Sequence, residues 1–154
     1  MAGDPIPKLG PKSKKRKPPV FGPNGEKLTD RNRTVRGVKE ECTRLHSRIV
    51  RATKGPWCQC GCGKPATDAA HIIGRTFAHT RTDIDNAYAL NNSCHTLFGQ
   101  NHGLWMDFVD RTIGRAEYDR LWDKAQAGVN VKFDWYSELD RLNALLDDVE
   151  GRAA

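Results

Sequence analysis

No stretch of this chain approaches the roughly 18 to 20 consecutive apolar residues that a membrane-spanning helix needs. Residues 1–20 hold no apolar run of signal-peptide length either. A soluble, cytoplasmic protein with no membrane partner is expected. Apolar material is scarce as well: 38% of 154 residues, with a mean hydropathy of -0.68, leaves room for one compact domain plus tails and little for a large core. No internal repeat is visible. Domains this lean commonly gain stability from a metal ion or from disulfides. An even cysteine set is missing too: of five cysteines, three crowd together as Cys58, Cys60 and Cys62. In a reducing compartment that pattern favours metal ligation over a disulfide framework.

What the chain does have is basic charge, unevenly spread. The net charge is +6, yet residues 1–54 hold fifteen Lys/Arg against five Asp/Glu, and the remainder holds ten against fourteen. Such asymmetry favours a polyanionic partner, nucleic acid above all, bound through phosphate contacts that release counterions.

Four segments follow from composition and periodicity. Residues 1–28 carry Pro5, Pro7, Pro11, Pro18, Pro19 and Pro23 with the basic run 12–17, and are expected to be a disordered basic tail, either a non-specific DNA arm or a solvated one. Residues 29–54 predict a basic amphipathic helix. Val35, Val38, Cys42, Leu45 and Ile49 recur at steps of three and four, and Asp30 or Thr29 is the expected cap. Arg44, Arg48 and Arg51 lie on its other face, available to DNA or simply to solvent; Cys42 falls on the apolar stripe, where a buried small side chain is expected. Gly55-Pro56 ends the helix and opens a central unit over 55–125, with a cysteine knuckle, strands near 66–73 and 86–90 separated by a loop, and helices from His95 onward. Residues 126–154 hold a linker and a last helix, on which Trp135, Leu139, Leu142, Leu146 and Val149 keep helical spacing. The fold class is therefore α+β.

Within the central unit fourteen residues separate His71 from Asn86 and eight separate Asn86 from His95. That spacing fits a strand, a loop, a second strand and a helix. Hydrolysis of a phosphodiester needs a base to take a proton from water and a positive centre to steady charge on the phosphoryl oxygens. His71 at a strand end suits the base, because an imidazole titrates near neutrality. His95 at the start of a helix suits a metal ligand. The Asn86 amide, which both accepts and donates, can fix a loop and orient an imidazole.

Ala69-Ala70-His71-Ile72, Asp85-Asn86 and Cys94-His95 together resemble the HNH, or ββα-metal, endonuclease family, with a His-to-Asn-to-His spacing similar to that of the colicin DNases. More narrowly, the chain resembles phage HNH and NinG-type recombination nucleases through Trp105, Phe108, Ile113-Gly114, Tyr118 and Leu121. The resemblance covers roughly residues 57–125 and makes 55–125 an HNH nuclease domain, a small ββα-metal cradle with a preceding basic helix and C-terminal helices. It implies a phage-encoded DNA endonuclease, working in a bacterial or infected host cell and dependent on Mg²⁺ or another divalent cation. In it His71 activates water, Asn86 positions it and His95 holds the metal, leaving 5′-phosphate and 3′-hydroxyl ends. Arg75 and Arg81 become phosphate clamps.

Two departures from the family pattern stand out. The residue before the base, an acidic or histidine metal ligand in many members, is Ala70, and a one-turn step from His95 lands on Gly99. Asp68 and His102 are the residues expected to complete the metal shell. Paired Cys-x-x-Cys motifs, which often hold a structural zinc in such domains, are replaced by Cys58, Cys60 and Cys62 before the cradle and Cys94 after it, with Asn91 in the place of the other cysteine. Three upstream thiols plus Cys94 could hold Zn²⁺; two of them with Cys94 and a histidine could do so, or the cysteines merely pack. A catalytically weak DNA-binding module on the same scaffold, and a structural or protein-interaction domain, are the competing readings.

Overall fold

The computed structural model describes residues 20–21, 27–28 and 34–152. Most of the expected tail over 1–28, including its basic run, lies outside the described residues. Within it Val20–Phe21 (β1) and Lys27–Leu28 (β2) pair antiparallel, Val20 opposite Leu28. The rest is α+β: five helices among the described residues and a two-stranded antiparallel hairpin packed on the first helix. No helix there is long and apolar enough to cross a membrane.

Helix α1 spans Val35–Lys54. Its cap is Thr34, not Asp30 or Thr29: the Thr34 backbone is extended and its hydroxyl accepts from the Gly37 amide, satisfying a first-turn donor. Arg51 and Lys54 in the last turn suit the negative end of the helix dipole. The buried stripe is Gly37, Val38, Cys42, Leu45, His46, Ile49 and Val50; Val35, expected on it, is exposed at the open end.

Strands β3 (Asp68–His71) and β4 (Ala87–Leu90) pair with Ala70 opposite Tyr88 and His71 opposite Ala87. Alternation gives the two faces different neighbours. Ala87 and Ala89 lie against Val50 of α1, where a methyl side chain permits close approach. Ala70, Tyr88 and Leu90 face a second core made by Phe108, Val109, Leu121 and Ala125. These come from α3 (His102–Thr112) and α4 (Gly114–Ala127), which follow α2 (Asn92–Gln100). Helix α5 spans Trp135–Gly151. Its Trp135, Leu142 and Leu146 pack on Val38, Cys42, Leu45 and Ile49 of α1, so its apolar face is covered within the chain.

The turn after α4 depends on the lack of a side chain. Gly128 has an ordinary φ of -82°, so space and not conformation selects it. A β-carbon there would overlap the imidazole of His79 and lie 2.8 Å from its Cβ, and His79 is itself lodged edge-on against Phe133 at 5.0 Å. Gly128→Ala is expected to cost about 1–3 kcal/mol by overpacking, measured as a lower urea midpoint at unchanged slope.

Candidate functional site

Two centres meet at the start of α2. The first is the knuckle between Pro56 and Ala66. The Cys58 amide donates to the Lys64 carbonyl at 2.9 Å and the Ala66 amide to the Pro56 carbonyl at 2.8 Å, while Gly61 and Gly63 take φ of 81° and 73°, the left-handed turns that fold the three cysteines inward. Gln59 moors this loop to β4, accepting from the Ala89 amide through its side chain and donating to the Ala89 carbonyl through its backbone. The result is a cluster of Cys58, Cys60, Cys62 and Cys94 whose sulfurs all lie within 4.8 Å of one another. Sγ separations of 3.2 Å (Cys58 to Cys60), 3.4 Å (Cys60 to Cys94) and 3.5 Å (Cys62 to Cys94) approach the roughly 3.8 Å edge of a tetrahedron with Zn–S bonds of about 2.3 Å.

Four thiols at that spacing could hold a structural Zn²⁺, with all three upstream cysteines and Cys94 as the set and no histidine among them. The Asn91 amide points at Cys58 Sγ from 3.1 Å, a donor suited to a thiolate. A hydrogen bond from the Lys64 backbone amide brings the Cys62 thiol down to about 7, whereas burial pushes Cys94 up. Asn91, which the sequence pattern reads as a lost cysteine, has work of its own. Its side chain caps α2 by accepting from Ser93 and donates to the Pro65 carbonyl at 2.9 Å.

The second centre is a groove whose wall is shared by Asp68, Ala69, His71, Gly74, Arg75, Ser47 and His95. It adjoins a small cavity, about 170 Å³, where His71 and His95 meet Phe98, Gly99, His102 and Trp105. His71 ends β3, and its Nε2 lies 2.8 Å from the Arg81 carbonyl. A carbonyl can only accept, so Nε2 carries the proton and Nδ1 keeps its lone pair. Among the described residues Nδ1 has no hydrogen-bond partner, and His71 lines the groove. Burial pushes the ring's pKa down to about 4, a shift that the Arg81 carbonyl only partly offsets and that His46, Arg75 and Arg81 reinforce.

His95 is oriented differently. Its Nδ1 lies 3.1 Å from Asp68 Oδ2, which also accepts from Asn92 at 3.0 Å. Burial alone would raise the Asp68 carboxyl; the His95 and Asn92 hydrogen bonds outweigh it and hold the group below its ordinary range. The carboxylate thus orients the imidazole, with Nε2 as the remaining donor atom, and Asp68 stands behind His95. The expected shell of Asp68, His95 and His102 is not assembled. Among the described residues the four cysteines are the one group of three or more Cys, His, Asp or Glu placed to share an ion. His102 lies in the first turn of a separate helix, α3, entered through the Asn101 cap, and lines the cavity without joining the pair.

Asn86 is fully buried and fully committed to the backbone. It accepts from the Ile73 amide at 2.7 Å and donates to the carbonyls of Ile73 at 3.0 Å and Thr80 at 2.8 Å. Both hydrogens of its amide and one lone pair of its oxygen are thus spent on this loop. Asn86 clamps the loop whose next carbonyl, that of Arg81, aims His71. Arg81 also serves the loop. Its guanidinium donates to Thr43 Oγ1 at 3.0 Å and to the Arg75 carbonyl at 3.2 Å, bracing the loop on α1. Arg75 keeps an exposed side chain on the groove. Of the α1 arginines, Arg44 is ion-paired with Glu41, Arg48 with Glu150 of α5, and Arg51 donates to Ser47 Oγ at 2.6 Å. Arg44 and Arg48 thus have carboxylate partners, while the hydroxyl on Arg51 leaves its charge unbalanced.

Sequence reasoning passed over His46. It is fully buried on α1, its ring centroid is 5.0 Å from that of His71, and its Nε2 is 3.0 Å from the Asp83 carbonyl. The signal was a polar residue falling on an apolar helical stripe, four after Cys42.

The buried imidazole of His46 and the partly buried one of His71 tie stability to pH. Burial lowers both pKa values, His71 to about 4, against about 6.5 in an unfolded chain. Between those values the unfolded state binds more protons, so stability is complete above pH 6.5 and falls as pH drops toward 4. His71 alone contributes on the order of 3 kcal/mol to that loss. At fixed zinc, His71→Gln is expected to have a flatter Tm-against-pH curve between pH 7 and 4.5 than the wild type; parallel curves would contradict the assignment. No protein family, curated protein or solved structure matches the chain.

Proposed function

We propose that the chain is a divalent-metal-dependent DNA endonuclease of HNH type, with His71 as general base and His95 as protein ligand of the catalytic ion. One observation carries the reading: the backbone fixes the His71 tautomer with Nδ1 free, on a groove also lined by a carboxylate-oriented His95 and by Arg75. A water in this groove would give its proton to Nδ1 while the Arg81 carbonyl holds the other side of the ring. Arg75 suits an incoming phosphate. A divalent cation such as Mg²⁺ on His95 Nε2 would supply Lewis acidity at the phosphoryl oxygens. The four cysteines would hold a separate structural zinc, and the expected products are 5′-phosphate and 3′-hydroxyl ends.

A second reading, a DNA-binding module with weak or no catalysis, draws on the short ligand set: the residues at the expected ligand positions are Ala70 and Gly99, and Asp68 is turned toward His95. Nicking of supercoiled plasmid in Mg²⁺, Mn²⁺ or Ca²⁺ separates the two. Metal-dependent nicking abolished by His71→Ala supports the nuclease. Equal activity in the two proteins would sink the His71 mechanism, and none in either with plasmid still retarded in a gel favours the binding module.

A further inference from the structure

We infer that His46 is a positioning residue for His71: its buried ring forms the wall that keeps the base in one tautomer and one orientation. The inference rests on the reading of His71 as a base. The two rings come from elements far apart in sequence, α1 and β3, yet stand at a 5.0 Å centroid separation with only 32° between planes. Each hangs by Nε2 from a backbone carbonyl of the same loop, His71 from Arg81 and His46 from Asp83. That loop is rigidly held. Asn86 grips it at Thr80, Lys124 of α4 pairs with the Asp83 carboxylate, and Thr82 bonds Glu138 of α5 at 2.5 Å.

An imidazole has a broad, roughly two-fold χ2 preference, so without a neighbour the His71 ring can turn over, exchanging Nδ1 with Cδ2 and Nε2 with Cε1. A turned ring would take Nε2–H off the Arg81 carbonyl, release the tautomer that this bond selects, and put a C–H edge where Nδ1 stood. The anchored face of His46 obstructs that rotation and keeps water off one side of the ring. His46 is itself suited to remain neutral. It is fully buried, its Nδ1 has no partner among the described residues, and burial lowers its pKa despite the Asp83 carbonyl. Two adjacent imidazoles also disfavour a proton on either. The charged groups acting on the pair are Arg75 and Arg81 on His71, and Asp83, Lys54 and Glu138 on His46, with Asp68 and His95 across the groove.

Nitrogen-15 NMR of the histidine rings tests this with or without nuclease activity. In the wild type both rings are expected as Nε2–H tautomers with ring-to-ring NOEs; a His71 in mixed tautomers overturns the inference. His46→Ala, which removes the wall, is expected to mix the His71 tautomers, to raise its titration midpoint by a unit or more and to lower kcat tenfold or more at unchanged KM. His46→Phe, which restores a flat ring, is expected to return the single tautomer. An unaltered His71 tautomer and midpoint in folded His46→Ala, or mixed tautomers in His46→Phe, would overturn the proposal. A wild type that never cleaves DNA would remove the nuclease reading and leave the ring pair to be decided by the same spectra.

Discussion

Stripping zinc from the four-cysteine centre is expected to lower Tm by roughly 10–20 °C, the shift of a several-kcal/mol loss in a domain of this size. The size of the effect follows from how little else holds the region. Helix α2 buries no residue completely. It is fastened by Cys94, by the Asp68–His95 contact and by Phe98, which stacks on Phe108 at 5.0 Å. The knuckle contributes one buried side chain, Cys58, to the core. A zinc bridging both would join the loop at 58–62 to the first turn of α2, and its binding energy would appear directly as folding energy. Elemental analysis of protein purified with zinc is expected to give one ion per chain, and Cys94→Ser less than half of that. A metal-free protein with an unchanged melting curve would show that the thiols merely pack. Because His95 follows Cys94 directly, metal loss is also expected to reduce DNA cleavage even after Mg²⁺ is restored.

His71→Ala is expected to reduce the cleavage rate by about 10²–10⁴-fold, the ordinary contribution of a general base. A pKa of about 4 makes His71 unprotonated throughout the neutral range but also a weak base. Its value therefore lies in the aim of Nδ1 more than in basicity, since misplacement of a reacting group is costly. Two comparisons sharpen the test. His71→Gly supplied with free imidazole is expected to recover part of the rate, because the missing function is a lone pair in a fixed place. Asn86→Ala is expected to lower both rate and stability, leaving the carbonyls of Ile73 and Thr80 without their buried donor. Full activity in folded His71→Ala would remove the proposed mechanism.

Much of the scaffold was legible because its signals are local. The three-and-four spacing on α1 and the Trp135 to Val149 stripe on α5 put matching apolar faces on two helices, and these pack together. The thiol cluster was legible as a group but not as a set, since spacing alone could not say whether a histidine replaced a cysteine. What the sequence hid lies in side-chain direction. Arg81 reads as a surface cation until the loop turns it onto Thr43. Asp68 reads as an ion ligand until the strand register sets it beside His95. His46 lies 25 positions before His71, and no periodicity links residues whose contact is made by the packing of a helix on a strand end.

The loop between the strands also bears on how this chain tolerates change. The imidazoles of His71 and His46 are both held by main-chain oxygens, at Arg81 and Asp83. Every residue type carries such an oxygen, so side-chain replacements at these positions leave the acceptors in place. Adding or deleting one residue between Ile73 and Asn86 would instead bring a different carbonyl opposite each ring. The chemistry of this groove is thus insured against substitution at the two acceptor positions and exposed to changes of length.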